Sequence, residues 1–443
     1  MSFEDTFCPS PWFSVVVKQD GNLRACRWGT SQENISPMNI ATTGLIEFHR
    51  SKFMSEIRAK LLNGTPQALC SHCDKQGALQ QVSGRERQLL KFGIRKEDYL
   101  NTLRSSERIP DLVFSAENNG DTTMMPVDLQ INLGNFCNNS CIMCDPISSS
   151  RVASDYRKLS KTNPIQFFNP PRILESWAQD PSALAKFIDE LITIPNIRYI
   201  HFLGGETLIH DSFYKICDAL ITAGLSKSII IGTTTNGTMY DDRLDRICEQ
   251  FQEFHLGFSI ETNTTLNDYI RYGSDLNSVM ANCGNFLRLR STHPNLNFIF
   301  RTTLNLFTIY HFDELVRFML ANNIAIESCF ILSDPKCLRV ELLPETIKYQ
   351  IIQKLNDVIE HAHVAGAVNT SVNVRLSGTE QQQVLRYTHE MISLLSSTLL
   401  DDEEIEVGRR DLVKFIKSFE SIRHNTILDY IPEYEEFLRS YGY

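Results

Sequence analysis

Residues 127–144 carry the most structural information in the chain and read Val-Asp-Leu-Gln-Ile-Asn-Leu-Gly-Asn-Phe-Cys-Asn-Asn-Ser-Cys-Ile-Met-Cys. In the first seven, apolar and polar side chains alternate, which is the period of a β-strand. A cysteine triplet, Cys137, Cys141 and Cys144, follows this strand directly. Three thiolates can hold three corners of a cubane iron–sulfur cluster and leave one iron open to a small molecule. A tetrahedral zinc site would need a fourth ligand from elsewhere in the chain.

Downstream of this strand, helical patterns alternate with strand patterns. The sequence predicts helices at 181–192, 210–223, 241–251, 276–289 and 312–320, and strands at 197–203, 228–233, 254–260, 297–303 and 328–332. Six strands that alternate with helices favour parallel strands joined by crossover helices. We therefore predict an α/β fold, a partial (β/α)6 TIM-like barrel whose functional groups lie at the C-terminal ends of the strands.

Polar motifs follow several of the predicted strands, as this architecture requires. They are Gly204-Gly205-Glu206, Thr235-Asn236 and Ser259-Ile260-Glu261. Within the first strand, Asp128, Gln130 and Asn132 share one face. We expect that face to line the barrel lumen, and the opposite assignment, in which it meets the outer helices, stays open.

Four cysteines precede the first barrel strand: Cys8, Cys26, Cys70 and Cys73. The turn signal Gln19-Asp20-Gly21-Asn22 lies between the first two and predicts a hairpin that brings distant cysteines together. Four thiolates with one short pair describe a zinc ribbon as well as an iron–sulfur site. The spacing alone leaves both readings open.

Composition narrows the class of protein. The 443 residues include 43 Lys and Arg and 53 Asp and Glu, for a net charge of −10, which disfavours general nucleic-acid binding. The first five residues show no secretory signal, and no apolar run is long enough to span a membrane. We therefore expect a cytoplasmic protein without membrane contact. In that reducing compartment, clustered cysteines more often bind metal or do chemistry than form disulfides.

The segment from Asn135 to Cys144 resembles the cluster loop of the radical S-adenosylmethionine (SAM) superfamily, with Met143 where an aromatic residue is usual. Gly204-Gly205-Glu206 resembles the glycine–glycine–glutamate motif of that superfamily, with Thr207 in place of the usual proline. The resemblance covers residues 127–332. It implies that Cys137, Cys141 and Cys144 are the catalytic ligands of a [4Fe–4S] cluster whose open iron binds SAM.

The resemblance also implies residues that contact SAM, and these are Gly204, Gly205, Glu206, Thr235, Asn236, Ser259 and Arg271, with Arg301 as a second candidate for the SAM carboxylate. In this superfamily an electron breaks a C–S bond of SAM to give methionine and a 5′-deoxyadenosyl radical, which abstracts a substrate hydrogen. The electron would come from a reducing donor such as flavodoxin or ferredoxin.

The N-terminal segment resembles the auxiliary-cluster module called SPASM or twitch. Cys8-x12-Gly21-x4-Cys26 is similar to the opening signature of that module, and Cys70-x2-Cys73 to the pair that follows. The later cysteines of a full SPASM domain are missing, and here the module precedes the barrel. The resemblance implies an auxiliary [4Fe–4S] cluster on Cys8, Cys26, Cys70 and Cys73.

These inferences predict four regions and one function. Residues 1–84 form a twitch-like auxiliary domain, 85–125 a linker, 126–335 the radical SAM core, and 336–443 a C-terminal helical extension that packs on the core or covers the barrel mouth.

The predicted function is hydrogen abstraction from a peptide or protein, which gives oxidation or crosslinking. Two alternatives stay open: a radical SAM dehydrogenase acting on a small sugar- or nucleoside-like alcohol, and a zinc-stapled binding protein without catalysis.

Overall fold

The chain folds into two units. The computed structural model describes residues 6–29, 32–78, 82–94, 111–162, 176–327, 330–332, 334–364, 380–397 and 400–443. Unit 1 comprises Met1–Asn135, Leu174–Gly232 and Ile247–Phe254, and unit 2 comprises Phe136–Ile173, Thr233–Arg246 and His255–Tyr443. No helix in the described part of the chain is both long and apolar enough to cross a membrane.

The strands are, in chain order, β1 (Ser14–Val17), β2 (Leu23–Arg24), β3 (Asp128–Asn132), β4 (Ser140–Cys141), β5 (Tyr199–Leu203), β6 (Ile230–Thr235), β7 (Glu253–Ser259), β8 (Arg271–Tyr272), β9 (Leu296–Arg301), β10 (Thr303–Leu304), β11 (Ala325–Ile326) and β12 (Phe330–Ile331).

The helices of the first half are α1 (Ser10–Phe13), α2 (Leu45–His49), α3 (Lys52–Leu62), α4 (Ser71–Ala78), α5 (Gly84–Lys91), α6 (Asp111–Glu117), α7 (Ser150–Thr162), α8 (Pro181–Leu191) and α9 (Asp211–Thr222). Those of the second half are α10 (Arg243–Gln250), α11 (Leu266–Ile270), α12 (Leu276–Thr292), α13 (Phe312–Ala321), α14 (Glu345–Val364), α15 (Glu380–Leu395), α16 (Asp402–Glu420) and α17 (Glu435–Ser440).

In unit 1 the strands lie side by side in the order β2-β1-β3-β5-β6. The pairs β1–β3, β3–β5 and β5–β6 are parallel, and β1–β2 is antiparallel. Helices α8 and α9 connect β3, β5 and β6 along the chain, as crossover connections between parallel strands require. The N-terminal segment therefore adds one parallel strand, β1, beside the first of the predicted barrel strands.

The predicted hairpin is present in unit 1. Gly21 has a φ of 82°, and a β-carbon there would lie 2.5 Å from Oδ1 of Asn39, so both the backbone conformation and the space require glycine. The turn is closed by the Gly21 N–H, which donates to the Lys18 carbonyl at 2.9 Å. Because β1 and β2 are antiparallel, the segments that contain Cys8 and Cys26 leave the hairpin at the same end.

The polar face of β3 is fully buried in unit 1. Asp128 accepts a hydrogen bond from the Ser14 hydroxyl at 3.1 Å and forms ion pairs with Arg27 at 2.6 Å and Lys91 at 2.8 Å. Asn132 donates to the Gln19 side chain at 3.2 Å. The pairing of these buried polar groups with the N-terminal segment explains why β3 alternates in sequence although both its faces are buried.

Unit 2 contains the strand order β7-β9-β11, with β9 and β11 parallel. Two small ribbons accompany these strands: β4 pairs antiparallel with β8, and β10 pairs parallel with β12. Helices α14 and α15 pack together through Ile359, Ala362 and Leu385, and Leu320 of α13 lies against this cluster. The C-terminal extension thus shares a core with the helix that follows β9.

The structure confirms the predicted α/β fold with parallel strands. Two details differ from the sequence prediction. The strand beside β9 is β11, which follows the turn at Asn323, where φ is 48°, and the predicted strand 328–332 contains β12, which pairs with β10 instead. The predicted linker 85–125 contains most of α5 and all of α6 in its described residues. The four region boundaries themselves stay predictions.

Candidate functional site

The cysteine triplet lies on a short, tightly bonded loop in unit 2. Cys141 belongs to β4 and is the direct partner of Arg271 in β8, and the N–H of Ile142 donates to the Ile270 carbonyl at 2.8 Å. The Cys144 N–H then donates back to the Cys141 carbonyl at 3.1 Å. This backbone pairing fixes the triplet loop next to β8. The β4–β8 ribbon therefore limits the movement of the loop.

The three thiols lie close enough to affect one another. Burial raises the pKa of Cys144, and negative charge on Cys141 and Cys137 raises it further. Three thiolates gathered in one buried place need positive charge nearby, and an iron–sulfur cluster supplies it. Among the described residues, no three His, Cys, Asp or Glu side chains converge on a single metal ion. A cubane does not require such convergence, because its thiolates bind different irons, so the donor set fits the cluster.

Arg271 contacts this loop from β8. Its Nη1 lies 3.7 Å from the Cys141 sulfur, and its Nη2 lies 2.5 Å from Oε1 of the buried Glu261. Burial lowers the pKa of Arg271, but the charge of Glu261 outweighs this effect and the pKa is raised. The backbone N–H of Thr303 holds the other carboxylate oxygen of Glu261 at 2.7 Å. Arg271 is therefore a fixed cation beside one thiol, and its contact with SAM stays a prediction.

Asn236 reaches the triplet from the end of β6. Its amide nitrogen lies 2.7 Å from Oδ1 of Asn138 and 4.0 Å from the Cys137 sulfur. Thr235, the last residue of β6, accepts the Gly237 N–H at 3.2 Å, which shapes the turn after the strand. Ser259 is the half-buried last residue of β7. The structure thus brings Asn236 to the triplet, whereas Thr235 stabilises a turn.

Arg301, the second candidate for the SAM carboxylate, is already engaged within unit 2. Its guanidinium forms an ion pair with Glu327 and donates to the Thr234 hydroxyl. A β-carbon at Gly257 of β7 would lie 2.6 Å from the Arg301 side chain, so this arginine packs tightly on the neighbouring strand. These contacts hold the Arg301 side chain in place, and its contact with the SAM carboxylate stays a prediction.

Gly204, Gly205 and Glu206 follow β5 in unit 1. Gly204 has a φ of 112°, and a β-carbon there would lie 2.3 Å from the backbone oxygen of Gly134. Glycine is thus required because the ends of β3 and β5 approach closely, a reason that the sequence did not show. Glu206 is buried, and its carboxylate accepts the Leu208 N–H at 3.2 Å.

The four N-terminal cysteines come together in unit 1. Burial raises the pKa of Cys8, and charge on Cys26, Cys70 and Cys73 raises it further, so the four sulfurs share one environment. Burial also raises the pKa of Cys70, to about 11. All four are free thiols. The four thiols therefore influence one another electrostatically, and their joint ligation of a cluster stays a prediction.

Each of these four sulfurs accepts a hydrogen bond from nitrogen. The backbone of Ser10 donates to Cys8, and the backbones of Trp28 and Gly29 donate to Cys26. The backbones of Gly84 and Arg85 donate to Cys73, and the Arg85 side chain donates to Cys70. Hydrogen bonds to sulfur stabilise the thiolate form and tune metal-bound thiolates. The arrangement suits a four-thiolate metal site.

Sequence reasoning missed two residues that build this site. Asn34 accepts the Cys26 N–H at 3.0 Å and donates to the carbonyls of Cys26 and Gly29 at 2.7 and 2.8 Å. Arg85 lies near the N-terminus of α5, and its guanidinium forms an ion pair with Asp74 at 2.8 Å. A lone asparagine and an arginine within a basic stretch carry no local signal for these roles, because both depend on tertiary contacts.

Comparison with known proteins gives a family match to part of the chain. Residues 131–319 match the family model of the Radical SAM superfamily. That segment includes the triplet, Glu206, Asn236 and Arg271. A comparison with curated protein sequences finds no significant match.

Solved structures give similarities of low identity. His-tagged anSMEcpe with bound AdoMet is 15% identical over 54% of this chain and 60% of that chain, with a TM-score of 0.38. Native anSMEcpe with bound AdoMet is 15% identical over 62% and 85%, with a TM-score of 0.37. Streptococcus suis SuiB bound to S-adenosylmethionine is 14% identical over 64% and 61%, with a TM-score of 0.31. The chain spans less than two thirds of the first and the third, and similarity at this level says nothing of the substrate.

Proposed function

We propose that this chain, whose residues 131–319 match the family model of the Radical SAM superfamily, cleaves SAM reductively and abstracts hydrogen from a peptide or protein. Cys137, Cys141 and Cys144 would hold the [4Fe–4S] cluster that such a domain uses together with SAM. When bound, that cluster supplies the electron that breaks a C–S bond of SAM. The observation that carries the proposal is the triplet fixed on the β4–β8 ribbon within the matched segment.

The residues around the triplet have roles that follow from their contacts. Arg271 places positive charge 3.7 Å from the Cys141 sulfur, which stabilises its thiolate form. Asn236 holds Asn138, two residues before Ser140, and so restrains the loop between the first two cysteines. Glu261 keeps the Arg271 side chain in place. The proposed contact of Glu206 with the SAM ammonium rests on the family motif.

The first experiment is made on protein purified without oxygen. We expect broad absorption near roughly 400 nm and about eight irons per chain, the content of two cubanes. With SAM and dithionite, the protein should form 5′-deoxyadenosine and methionine, measured by liquid chromatography and mass spectrometry. Colourless protein with stoichiometric zinc and no SAM cleavage would instead support the zinc-stapled binding protein.

We also propose that Cys8, Cys26, Cys70 and Cys73 hold an auxiliary [4Fe–4S] cluster. Their shared environment and the nitrogen donors to all four sulfurs support this assignment. Four thiolates leave no iron open to a substrate. After hydrogen abstraction, oxidation of the substrate requires removal of one further electron, and a fully ligated cluster suits the role of its acceptor.

Replacing Cys70 with alanine should distinguish the role of the auxiliary cluster from that of the triplet cluster. We expect the variant to lose about four irons per chain but to retain SAM cleavage, because the triplet lies in the other unit. Formation of oxidised product should stop. Iron content, 5′-deoxyadenosine and product are measured on the same sample, and product formation at the rate of the unsubstituted protein would refute the electron-acceptor role.

The proposed substrate is a peptide or protein. The peptide assignment rests on the resemblance of the N-terminal segment to twitch and SPASM modules, many of which belong to peptide-modifying enzymes. The alternative substrate is a small sugar- or nucleoside-like alcohol. Short peptides encoded beside the gene, added to protein and SAM, should stimulate 5′-deoxyadenosine formation, and stimulation by nucleosides alone would favour the alternative.

A further inference from the structure

Arg423 is a buried arginine in the C-terminal extension of unit 2. Only 1% of its side chain is exposed. It lies in the turn directly after α16, where its N–H donates to the Glu420 carbonyl at 3.3 Å. An arginine is seldom buried to this extent unless its charge has a specific partner.

The partners of Arg423 belong to the triplet loop and its support. Its Nη2 donates to the backbone carbonyl of Ser140 at 2.6 Å and lies 3.2 Å from the Ser140 hydroxyl. The same nitrogen lies 3.6 Å from Oδ2 of Asp155 in α7. The Ser140 hydroxyl also donates to this Asp155 oxygen at 2.6 Å, so the three groups form one closed set.

Arg423 contacts both strands of the ribbon that carries Cys141. Ser140 is the residue before Cys141 in β4, and its partner in β8 is Tyr272. The Arg423 guanidinium carbon lies 4.7 Å from the Tyr272 ring centre and 4.4 Å from that of Phe419 in α16. One side chain therefore holds the β4 backbone by a charge-assisted hydrogen bond and covers the β8 ring by a cation–π contact.

The turn that presents Arg423 is itself anchored. Glu420, the last residue of α16, accepts hydrogen bonds from the Tyr269 hydroxyl at 3.2 Å, the Ile427 N–H at 2.7 Å and the Tyr443 hydroxyl at 2.8 Å. Tyr269 belongs to α11, immediately before β8. The turn is thus also hydrogen-bonded to the residue segment just before β8. This second contact limits the movement of the Arg423 guanidinium.

We propose that Arg423 is a positioning residue for the triplet, which fixes the geometry of Cys141 through Ser140. It and Arg271 act on adjacent residues of β4, since Arg271 contacts the Cys141 sulfur and Arg423 the Ser140 carbonyl. This inference rests on the proposed function and deepens it, because it assigns the C-terminal extension a role in cluster geometry. Loss of such an outer support typically costs 10- to 100-fold in metal affinity or activity.

The test compares Arg423→Met with Arg410→Met, a position on the preceding helix α16 with 67% of its side chain exposed. Both are purified without oxygen and checked by circular dichroism and thermal unfolding. Two quantities are then measured well below the unfolding temperature: the rate of iron release to a ferrous chelator, and kcat and KM for SAM cleavage. Arg423→Lys is included because an ammonium can still donate to Ser140 and pair with Asp155.

We expect Arg423→Met to release iron about tenfold faster or more and to lose about 10- to 100-fold in kcat, with a smaller change in the KM for SAM. Arg423→Lys should recover part of both losses, and Arg410→Met should match the unsubstituted protein. Should Arg423→Met fail to fold, Arg423→Lys and Asp155→Asn are compared with Arg410→Met in the same measurements, with the same direction expected.

A lower unfolding temperature with unchanged iron release and unchanged kcat would overturn the proposal, because it would mean that Arg423 supports only the fold. The proposed function fails separately, if the unsubstituted protein holds iron yet forms no 5′-deoxyadenosine. Iron release would then still report whether Arg423 positions the triplet.

Discussion

In the Cys141→Ala variant the rate of SAM cleavage should fall by far more than about 100-fold. Loss of a residue that only supports a ligand costs up to about 100-fold, whereas this change removes a proposed ligand itself. Cys141 lies in β4, and its sulfur is the one that Arg271 contacts. The change removes one corner of the predicted cluster and leaves the buried Arg271 without this contact. Iron should fall from about eight to about four per chain.

The matched control is Cys283→Ala. Cys283 is also a buried free cysteine of unit 2, but it lies on α12. We expect this variant to keep its iron and its rate of 5′-deoxyadenosine formation, so a loss in Cys141→Ala is not a general effect of removing a buried thiol. Equal SAM cleavage by the two variants would remove Cys141 from the proposed ligand set.

The second large effect concerns stability. Asp128→Asn should lower the free energy of unfolding by about 3 kcal/mol, because it removes the buried carboxylate that the half-buried Arg27 and Lys91 share. Chemical denaturation followed by circular dichroism measures the change. Glu56→Gln, which breaks the exposed pair of Lys52 and Glu56, is the control and should change stability by less than about 0.5 kcal/mol.

The same carboxylate predicts a dependence on pH. Burial raises the pKa of Asp128, but the charges of Arg27 and Lys91 outweigh this effect and hold the pKa below its usual range. The folded state therefore binds the proton less readily than the unfolded chain. The stabilisation is present above the unfolded pKa, about 3.9, and is lost as the pH falls below it. Asp128→Asn should weaken this acid-dependent loss, and an unchanged pH profile would contradict the assignment.

Local patterns were sufficient for much of the fold. The periods of 2 and 3.6 residues located the helices and most strands, since they depend on neighbours within one element. The helix at Pro181–Leu191, predicted at 181–192, and the hairpin at Gly21 are examples. The triplet was also readable, because its three cysteines lie within eight residues.

Contacts between distant residues were not readable. Arg423 and Ser140 are separated by 283 positions, and no periodicity connects them. The ion pair of Arg271 with Glu261, ten positions away in sequence, was likewise not predicted. The need for glycine at position 204 depends on the backbone of Gly134. Each of these contacts depends on the tertiary arrangement of the chain, which local sequence patterns do not reveal.

The pairing of β1 with β3 sets an order of events during synthesis. Ser14 and Asp128 are register partners separated by 114 positions. At the usual ribosomal speed of about 5–20 residues per second, β1 is synthesised roughly 6–23 seconds before its partner strand. Throughout that interval the nascent hairpin has an unpaired, apolar edge, SVVV. The proposed cluster ligands Cys8 and Cys26 would likewise be synthesised before the strands of the predicted barrel.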